Sequence, residues 1–340
     1  MRKNSTLLFL SFLFLANLCF GQQDAMFTKY MFNSLAYNPA FAGTPGYMQT
    51  RLLYRNQWTG FEGAPTTQTL TVHTPIMEKV GLGFSLINDK IGATGSTTAN
   101  FAYSYRIPFG PGNLSIGLQG GVMNWRANWN DDGLRFRDPK GTDEAFAETN
   151  PSRWIPNFGA GAFYYAPKWY AGFSVPHMIT WDLRKDSKEF PIETDKWAKV
   201  YNHYFLTAGG IIPLNGPALV FKPSILIKSV GLFGAFSSGS GNSVGAPTEF
   251  DIDASFLIQE TLWVGISFRS AFEAAFLGGE SSVDSGDIWM TVYLGNGMRV
   301  GAAYDYTLTD INRFTNGSFE IMLGYDMNFE VKRVNTPRYF

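Results

Sequence analysis

The histidines are the residues that could most readily do chemistry in this sequence of 340 residues. His73 falls within a strand-like pattern, His177 follows a proline, and His203 stands at the start of another strand-like pattern. None of them belongs to an HExxH motif or to a histidine pair at metal-ligand spacing. His73 could act in hydrolysis if Asp or Ser side chains from neighbouring strands lay beside it, and a structural histidine fits the same pattern. We expect no enzyme, no cofactor site and no catalytic residue.

A second candidate for chemistry is the acidic segment at 127–156, which includes Asp131 and Asp132 close to Gly133. Carboxylates in such a cluster are ligands that calcium accepts, although their spacing differs from the EF-hand pattern. A solvated acidic loop explains the same composition. We therefore expect no metal site in this segment.

A third candidate is the alternating row of Glu249, Asp251 and Asp253. Alternate residues of a strand share one face, so these carboxylates are predicted to point the same way. Inside a barrel they would either favour cations or pair with inward-facing arginines. We expect an internal salt-bridge network, and the candidate arginines are Arg51, Arg55, Arg106 and Arg299.

The elements that carry these side chains have a period of two residues. Apolar side chains alternate with small or polar ones from Ala99 to Ile107, and the pattern returns at 80–86, 114–119, 250–258 and 319–331. Successive side chains of a strand point to opposite faces. Strands of about eight to fifteen residues exceed the usual five or six, and a tilted membrane strand needs about nine to eleven. The small and polar face carries many Gly and Ser residues, which suits a crowded lumen.

The composition agrees with a membrane protein that crosses by strands. Charged residues make up 16% of the chain, below the roughly 25% typical of soluble domains, and aromatic residues reach 16%. Beyond the first residues, no segment approaches the 18 consecutive apolar residues of a membrane-spanning helix. The net charge of −1 implies no nucleic-acid partner.

We predict an all-β fold, a transmembrane antiparallel up-and-down β-barrel of about 14 strands. Turns after even-numbered strands are short and carry or adjoin Pro, Gly or Asn, whereas 127–156, 176–201, 230–247 and 271–286 are long. Outer-membrane barrels have short periplasmic turns and long extracellular loops, so both termini are expected in the periplasm. Residues 272–277 could continue a strand and change the count. The predicted strands are 47–57, 66–75, 79–88, 96–107, 113–126, 157–165, 168–175, 202–212, 217–229, 248–258, 261–270, 287–294, 298–307 and 317–331.

The first residues predict export. Arg2 and Lys3 precede an apolar run that is too short to span a bilayer, and small residues follow at Cys19 and Gly21. This order is typical of a signal peptide, predicted here at 1–21. The alternative is a lipoprotein signal acylated at Cys19, but Leu18 occupies the position where a small residue is expected. Because Cys19 is the only cysteine, the mature chain would contain no disulfide.

Residues 22–46 lack the alternation of the strands. Phe27, Tyr30 and Met31 have helical spacing, and a helical turn is predicted to end at Asn38-Pro39. The segment is either an unstructured periplasmic lead or is packed into or across the barrel mouth, and its Phe, Tyr and Met content favours packing. The barrel is predicted at 47–331 and a C-terminal tail at 332–340.

Aromatic side chains near strand ends are predicted to form girdles at the membrane interfaces, with ordinary packing as the alternative. These residues are Trp58, Trp125, Trp129, Trp169, Trp263 and Tyr306. Contacts with partner proteins are predicted for the N-terminal segment and the long loops, through Phe27, Tyr30, Met31, Trp129, Asp131, Asp132, Trp154 and Trp181.

Three blocks in the first third of the chain carry a family resemblance: YNPAFAG at 37–43, YRNQWTGFEGAPTTQTL at 54–70 and VGLGFSLINDKIG at 80–92. With them the chain resembles the PorP/SprF family of type IX secretion system membrane proteins of Bacteroidetes. The resemblance extends to the whole chain in layout, including its final strand.

The resemblance implies an accessory outer-membrane barrel that helps to secrete or anchor cargo by binding its C-terminal domain. The implied cargo is a cell-surface adhesin, as in the gliding-motility SprF type, and further partners are periplasmic or lipoprotein components of the machinery and outer-membrane lipids. The resemblance brings no catalytic residues. An outer-membrane porin or solute channel is the alternative, because fourteen strands can enclose a lumen.

Overall fold

The structure, a computed structural model, describes residues 29–130, 150–179, 181–182, 199–200, 202–230, 248–271 and 283–327. Its long strands form one antiparallel sheet that closes on itself, because β10 pairs with both β7 and β12. The strands are β1 (Met48–Asn56), β2 (Thr66–Pro75), β3 (Val80–Ile91), β4 (Thr94–Phe109), β5 (Gly112–Ala127), β6 (Ser152–Tyr165), β7 (Trp169–Val175), β8 (Trp181–Asp182), β9 (Lys199–Val200), β10 (His203–Gly210), β11 (Ile212–Asn215), β12 (Leu219–Val230), β13 (Glu249–Ile258), β14 (Leu262–Ala271), β15 (Val283–Tyr293), β16 (Met298–Thr307) and β17 (Ser318–Met327).

Fourteen strands form the barrel wall in the described ranges. β10 and β11 act as one wall strand that is interrupted at Ile211, since both pair with β12. β8 and β9 pair only with each other. Each remaining strand pairs with its neighbours along the chain, and β1 pairs with β17. The predicted antiparallel up-and-down barrel of about 14 strands is confirmed.

Each predicted wall strand has an observed counterpart, with two notable shifts in bounds. β6 begins at Ser152 instead of residue 157, because β5 is long enough to pair with it as far as Arg126. β15 begins at Val283 instead of residue 287, since its first residues pair with both β14 and β16. The proposed strand continuation at 272–277 lies outside the described residues.

The two rims of the barrel differ in the length of their connections. The short-turn rim carries the links after β2, β4, β6, β11, β13 and β15, which include the tight turns at 110–111 and 259–261. The long-connection rim carries 57–65, 128–151, 176–202, 231–248, 272–282 and 308–317. One link on that rim is short: residues 92–93 alone join β3 to β4.

The wall strands expose one face and bury the other. In β4, Phe101, Tyr103 and Tyr105 are exposed, whereas Asn100 and Ser104 are buried. An exposed apolar face with a polar interior is the arrangement that lipid imposes on a membrane barrel. The alternation of the sequence is therefore the alternation between outside and lumen.

The chain before β1 runs through three single-turn 3₁₀ helices at Tyr30–Phe32, Ser34–Ala36 and Pro39–Phe41. The last begins at a proline, which lacks a backbone N–H, and the side chain of Asn38 accepts a hydrogen bond from the Ala40 N–H. The sequence predicts that a helical turn ends at Asn38-Pro39, and in the structure a further 3₁₀ turn begins there. None of the helical segments in the described part of the chain is long or apolar enough to span a membrane.

Candidate functional site

Residues 29–45, which we call the plug, occupy the barrel lumen, and nearly all of them are buried. Three serines from different wall strands hold the plug backbone. The Ser115 Oγ donates to the Ala40 carbonyl (2.6 Å), the Ser104 Oγ to that of Ala42 (2.6 Å), and the Ser174 Oγ to that of Tyr37 (2.7 Å). Short 3₁₀ turns leave carbonyls unpaired, so these hydroxyls satisfy groups whose burial would otherwise be costly.

Glycines on the inner face leave room for the plug. A methyl group at Gly117 of β5 would overlap the backbone of Ala40, and one at Gly81 of β3 would overlap the carbonyl of Ala42. The plug backbone lies directly against the wall at these points. The glycines and serines of the predicted polar face therefore form the cradle of the plug.

Aromatic side chains anchor the plug in two directions. Phe32 packs edge-on against Trp263, with ring centroids 4.5 Å apart, and against Trp289 at 5.5 Å. Elsewhere Tyr37 stacks on the Phe205 ring at 5.6 Å. Trp263 is thus a lumen residue, and its assignment to an interfacial girdle was wrong because its strand turns that position inward.

The first described residues reach the opposite side of the lumen. The Lys29 N–H donates to the Glu320 Oε1 (3.1 Å), and its ammonium donates to the Met290 carbonyl (3.1 Å). The Tyr30 hydroxyl is 2.8 Å from the Ser224 Oγ. Together with the serine contacts, these bonds tie the plug to strands around the barrel.

The plug separates two cavities. The cavity toward the long-connection rim is bounded by Tyr30, Ala36 and Tyr37 of the plug and by polar wall residues such as Asn100 and Gln119. The cavity toward the short-turn rim is bounded by Met31, Phe32 and Phe41 and includes basic and aromatic wall residues. In the described part of the lumen, plug residues thus line both cavities, one toward each rim.

A buried salt-bridge network lines the lumen, as the sequence predicts. The Arg55 guanidinium is 2.5 Å from Asp305 and 3.5 Å from Glu320. Arg51 and Arg299 both pair with Asp326. Buried charges of this kind depend on their partners, because removing one partner leaves the other uncompensated.

The acidic row has partners other than the four predicted arginines. Asp251 pairs with Arg269 at 2.6 Å, because the residues face each other in the β13–β14 register. Asp253 accepts hydrogen bonds from the Ser267 hydroxyl and the Trp289 indole, both at 2.8 Å. Pairing across strands requires the register, and the sequence alone does not supply it.

The histidines have structural contacts. The His73 Nδ1 accepts a hydrogen bond from the Gly43 N–H (3.2 Å), and its ring meets the edge of Phe41. His177 contacts Asn157 at 2.7 Å, and its ring lies 6.0 Å from that of His203. Within the described ranges no three side chains of metal-ligating type lie together.

The described members of the predicted partner-binding set lie in different parts of the barrel. Tyr30 and Met31 belong to the plug, Trp181 packs beside the Met123 and Ile155 cluster, and Trp129 is half-buried after β5. Trp154 points outward and is 73% exposed. The remaining three, Phe27, Asp131 and Asp132, lie outside the described residues. The sequence did not identify the three serines that hold the plug. The only indication of them was the abundance of small residues, serine and glycine, at inward positions of the strands.

A closed, antiparallel barrel with an apolar exterior and a polar interior is the architecture of outer-membrane β-barrel proteins. A sequence profile described as the type IX secretion system membrane protein PorP/SprF matches residues 19–325. The chain therefore belongs to the PorP/SprF family. No curated protein sequence matches it significantly.

Two solved structures illustrate the similarity of architecture. The Acinetobacter baumannii outer membrane protein Omp33 is 9% identical, with a TM-score of 0.44 over 83% of this chain and 98% of that chain. The CymD monoaromatic hydrocarbon channel is 10% identical, with a TM-score of 0.47 over 87% of this chain and 92% of that chain. Similarity at this level carries no functional conclusion.

Proposed function

We propose that this barrel is an accessory component of the type IX secretion system that binds the C-terminal domain of a secreted cargo at the cell surface. The implied cargo class is a cell-surface adhesin, as in gliding motility. Periplasmic or lipoprotein components of the machinery would contact the opposite rim. Binding and retention, without a chemical step, are the roles that we assign to the protein.

The observation that carries this proposal is the filled lumen. A porin needs a continuous water path, whereas here the plug backbone lies against the wall and separates the two cavities. A plugged barrel offers its rim and its outer cavity as binding surfaces. The strand ends that carry the long connections lie at the rim of that cavity, and loops carried by a rigid scaffold are well suited to recognition.

The proposed orientation places the long-connection rim outside and both termini in the periplasm. We expect a cysteine at Arg313, which is exposed on the long-connection rim, to react on intact cells with a membrane-impermeant maleimide. A cysteine at Lys168, which is exposed in a short turn, should react only after the outer membrane is opened. Both variants are made in a Cys19→Ser background, so that no other thiol is present. If only the Lys168 position were labelled on intact cells, the short-turn rim would face outside and the proposed orientation would be wrong.

Surface display tests the cargo role. Deleting the gene should abolish surface display of one class of type IX cargo, and the full chain should restore it. Complementation with Trp129→Ala, Asp131→Asn and Asp132→Asn together should give about tenfold less display, because Trp is a common interface hot spot and charged groups supply electrostatic complementarity to a partner. The matched control is Lys79→Ala, an exposed residue on the other rim. Normal display in the deletion strain would refute the proposed role.

A further inference from the structure

The outer surface of β3, β4, β5 and β6 changes character near the long-connection rim. Along β4, the outward positions from Ala99 to Phe109 are mostly apolar and span about 25 Å of barrel height, for a rise of about 3.3 Å per residue and a tilt of about 40°. That height equals the apolar band of an outer-membrane barrel. Beyond Ala99 the next outward residue is Thr97, so the wall continues past the hydrocarbon.

The strand register places polar residues in two rows above this band. The first row contains Asn88, Thr97, Asn124 and Trp154, and the second contains Lys90, Gly95, Arg126 and Ser152. Trp154, 73% exposed, lies at the boundary, where indole rings commonly mark the membrane interface. Lys90 and Arg126 are both exposed one step higher, at the expected level of lipid headgroups.

Arg126, Thr97 and Asn88 form a hydrogen-bonded group on this outer face. Arg126 donates from Nη1 to the Thr97 Oγ1 (2.8 Å) and from Nη2 to the Asn88 Oδ1 (2.9 Å). The Thr97 hydroxyl also donates to the Asn88 Oδ1 (2.9 Å). The Arg126 side chain reaches these partners across Gly95, whose missing side chain leaves the space.

This arrangement leaves donors and positive charge on the surface. The hydroxyl and amide oxygens of the group are engaged, while the Asn88 amide N–H₂ and the remaining guanidinium N–H groups point to no acceptor in the described part of the chain. Among the described residues, no carboxylate pairs with Arg126 or Lys90. Gly95 separates the two cations in the sheet, which puts their Cα atoms about 10 Å apart.

We propose that Arg126, Lys90 and Asn88 form a binding site for the phosphate of an outer-leaflet glycolipid. A guanidinium, an ammonium and an amide N–H₂ are donors suited to phosphate oxygens, and the apolar wall directly below receives the acyl chains. The height of the site on the wall distinguishes a lipid from a soluble anion. The proposal rests on the proposed orientation, with the long-connection rim outside, which the cysteine labelling tests separately, and it does not depend on cargo binding.

Native mass spectrometry of the purified full-length protein tests the site, with monophosphoryl lipid A and its dephosphorylated form as probes. We expect the wild-type barrel to retain the phosphorylated lipid and not the dephosphorylated one. The Arg126→Gln, Lys90→Gln double variant should retain about tenfold less, because each basic residue near a lipid surface contributes to headgroup attraction.

The matched control is Arg313→Gln with Lys168→Gln, which removes the same two charges from other exposed positions and should bind like the wild type. Lys90→Gln alone, a change of one exposed side chain, provides a second variant that preserves the hydrogen-bonded group. Equal retention by the double variant and the wild type would overturn the site. So would equal retention of the two lipids, or no retention of either by the wild type.

Discussion

Replacing Arg55 by Met is expected to destabilise the folded barrel by about 3–5 kcal/mol, one of the largest effects available in this chain. Arg55 is 2% exposed and lies between the carboxylates of Asp305 and Glu320. Without the guanidinium, the buried carboxylates of Asp305 and Glu320 lose the cation that they share, and an uncompensated buried charge is costly. The free energy of unfolding is measured by urea titration of the barrel in lipid vesicles.

Two controls separate this effect from a general loss of charge. Arg313→Met removes an arginine from an exposed pair with Asp310 and should change stability little. The triple variant Arg55→Met, Asp305→Asn, Glu320→Gln should recover part of the loss, because no carboxylate remains without a cation. If Arg55→Met were as stable as Arg313→Met, the buried network would have no structural role.

Removing the plug is expected to turn a non-conducting barrel into an open pore. The wild-type protein in a planar bilayer should show no steady conductance, since residues 29–45 lie across the lumen. Deleting these residues should raise single-channel conductance by about tenfold or more, because a barrel of this strand number is wide enough to hold water.

A point substitution provides a sharper version of the same test. A valine at Gly117 would overlap the Ala40 backbone and should displace the plug, giving intermittent openings. Gly120→Val is the matched control, since Gly120 lies on the same strand but faces outward with only ordinary contact distances to Phe158. A wild-type protein that conducts as steadily as the deletion variant would favour the porin hypothesis.

The barrel could be predicted from the sequence because lipid imposes a simple pattern. Each wall strand alternates between an apolar face and a polar or small one, so residues such as Phe101 and Ser104 indicate outside and inside directly. The alternation of short and long connections then predicts which strand ends lie at each rim. The bounds of β6 were less predictable, because Pro156 at an outward position and Ile155 at an inward one interrupt the alternation while the pairing with β5 continues.

The lumen contacts could be predicted only in kind. The sequence indicates that arginines and acids meet inside, but the β13–β14 register decides that Asp251 faces Arg269. Similarly, the abundance of inward glycine and serine indicates crowding, yet the contact of Ser115 with the Ala40 carbonyl depends on how the plug folds. Side chains far apart in sequence meet through register and plug path, which are tertiary properties.

The most direct test of the proposed role is a mild-detergent pull-down of the tagged full-length barrel from native membranes, followed by mass spectrometry. We expect recovery of a secreted surface protein that carries a type IX C-terminal domain. That protein should be lost from the pull-down of the Trp129→Ala, Asp131→Asn, Asp132→Asn variant at equal barrel amount. Recovery of the barrel alone, from membranes that contain the cargo at normal level, would contradict the account.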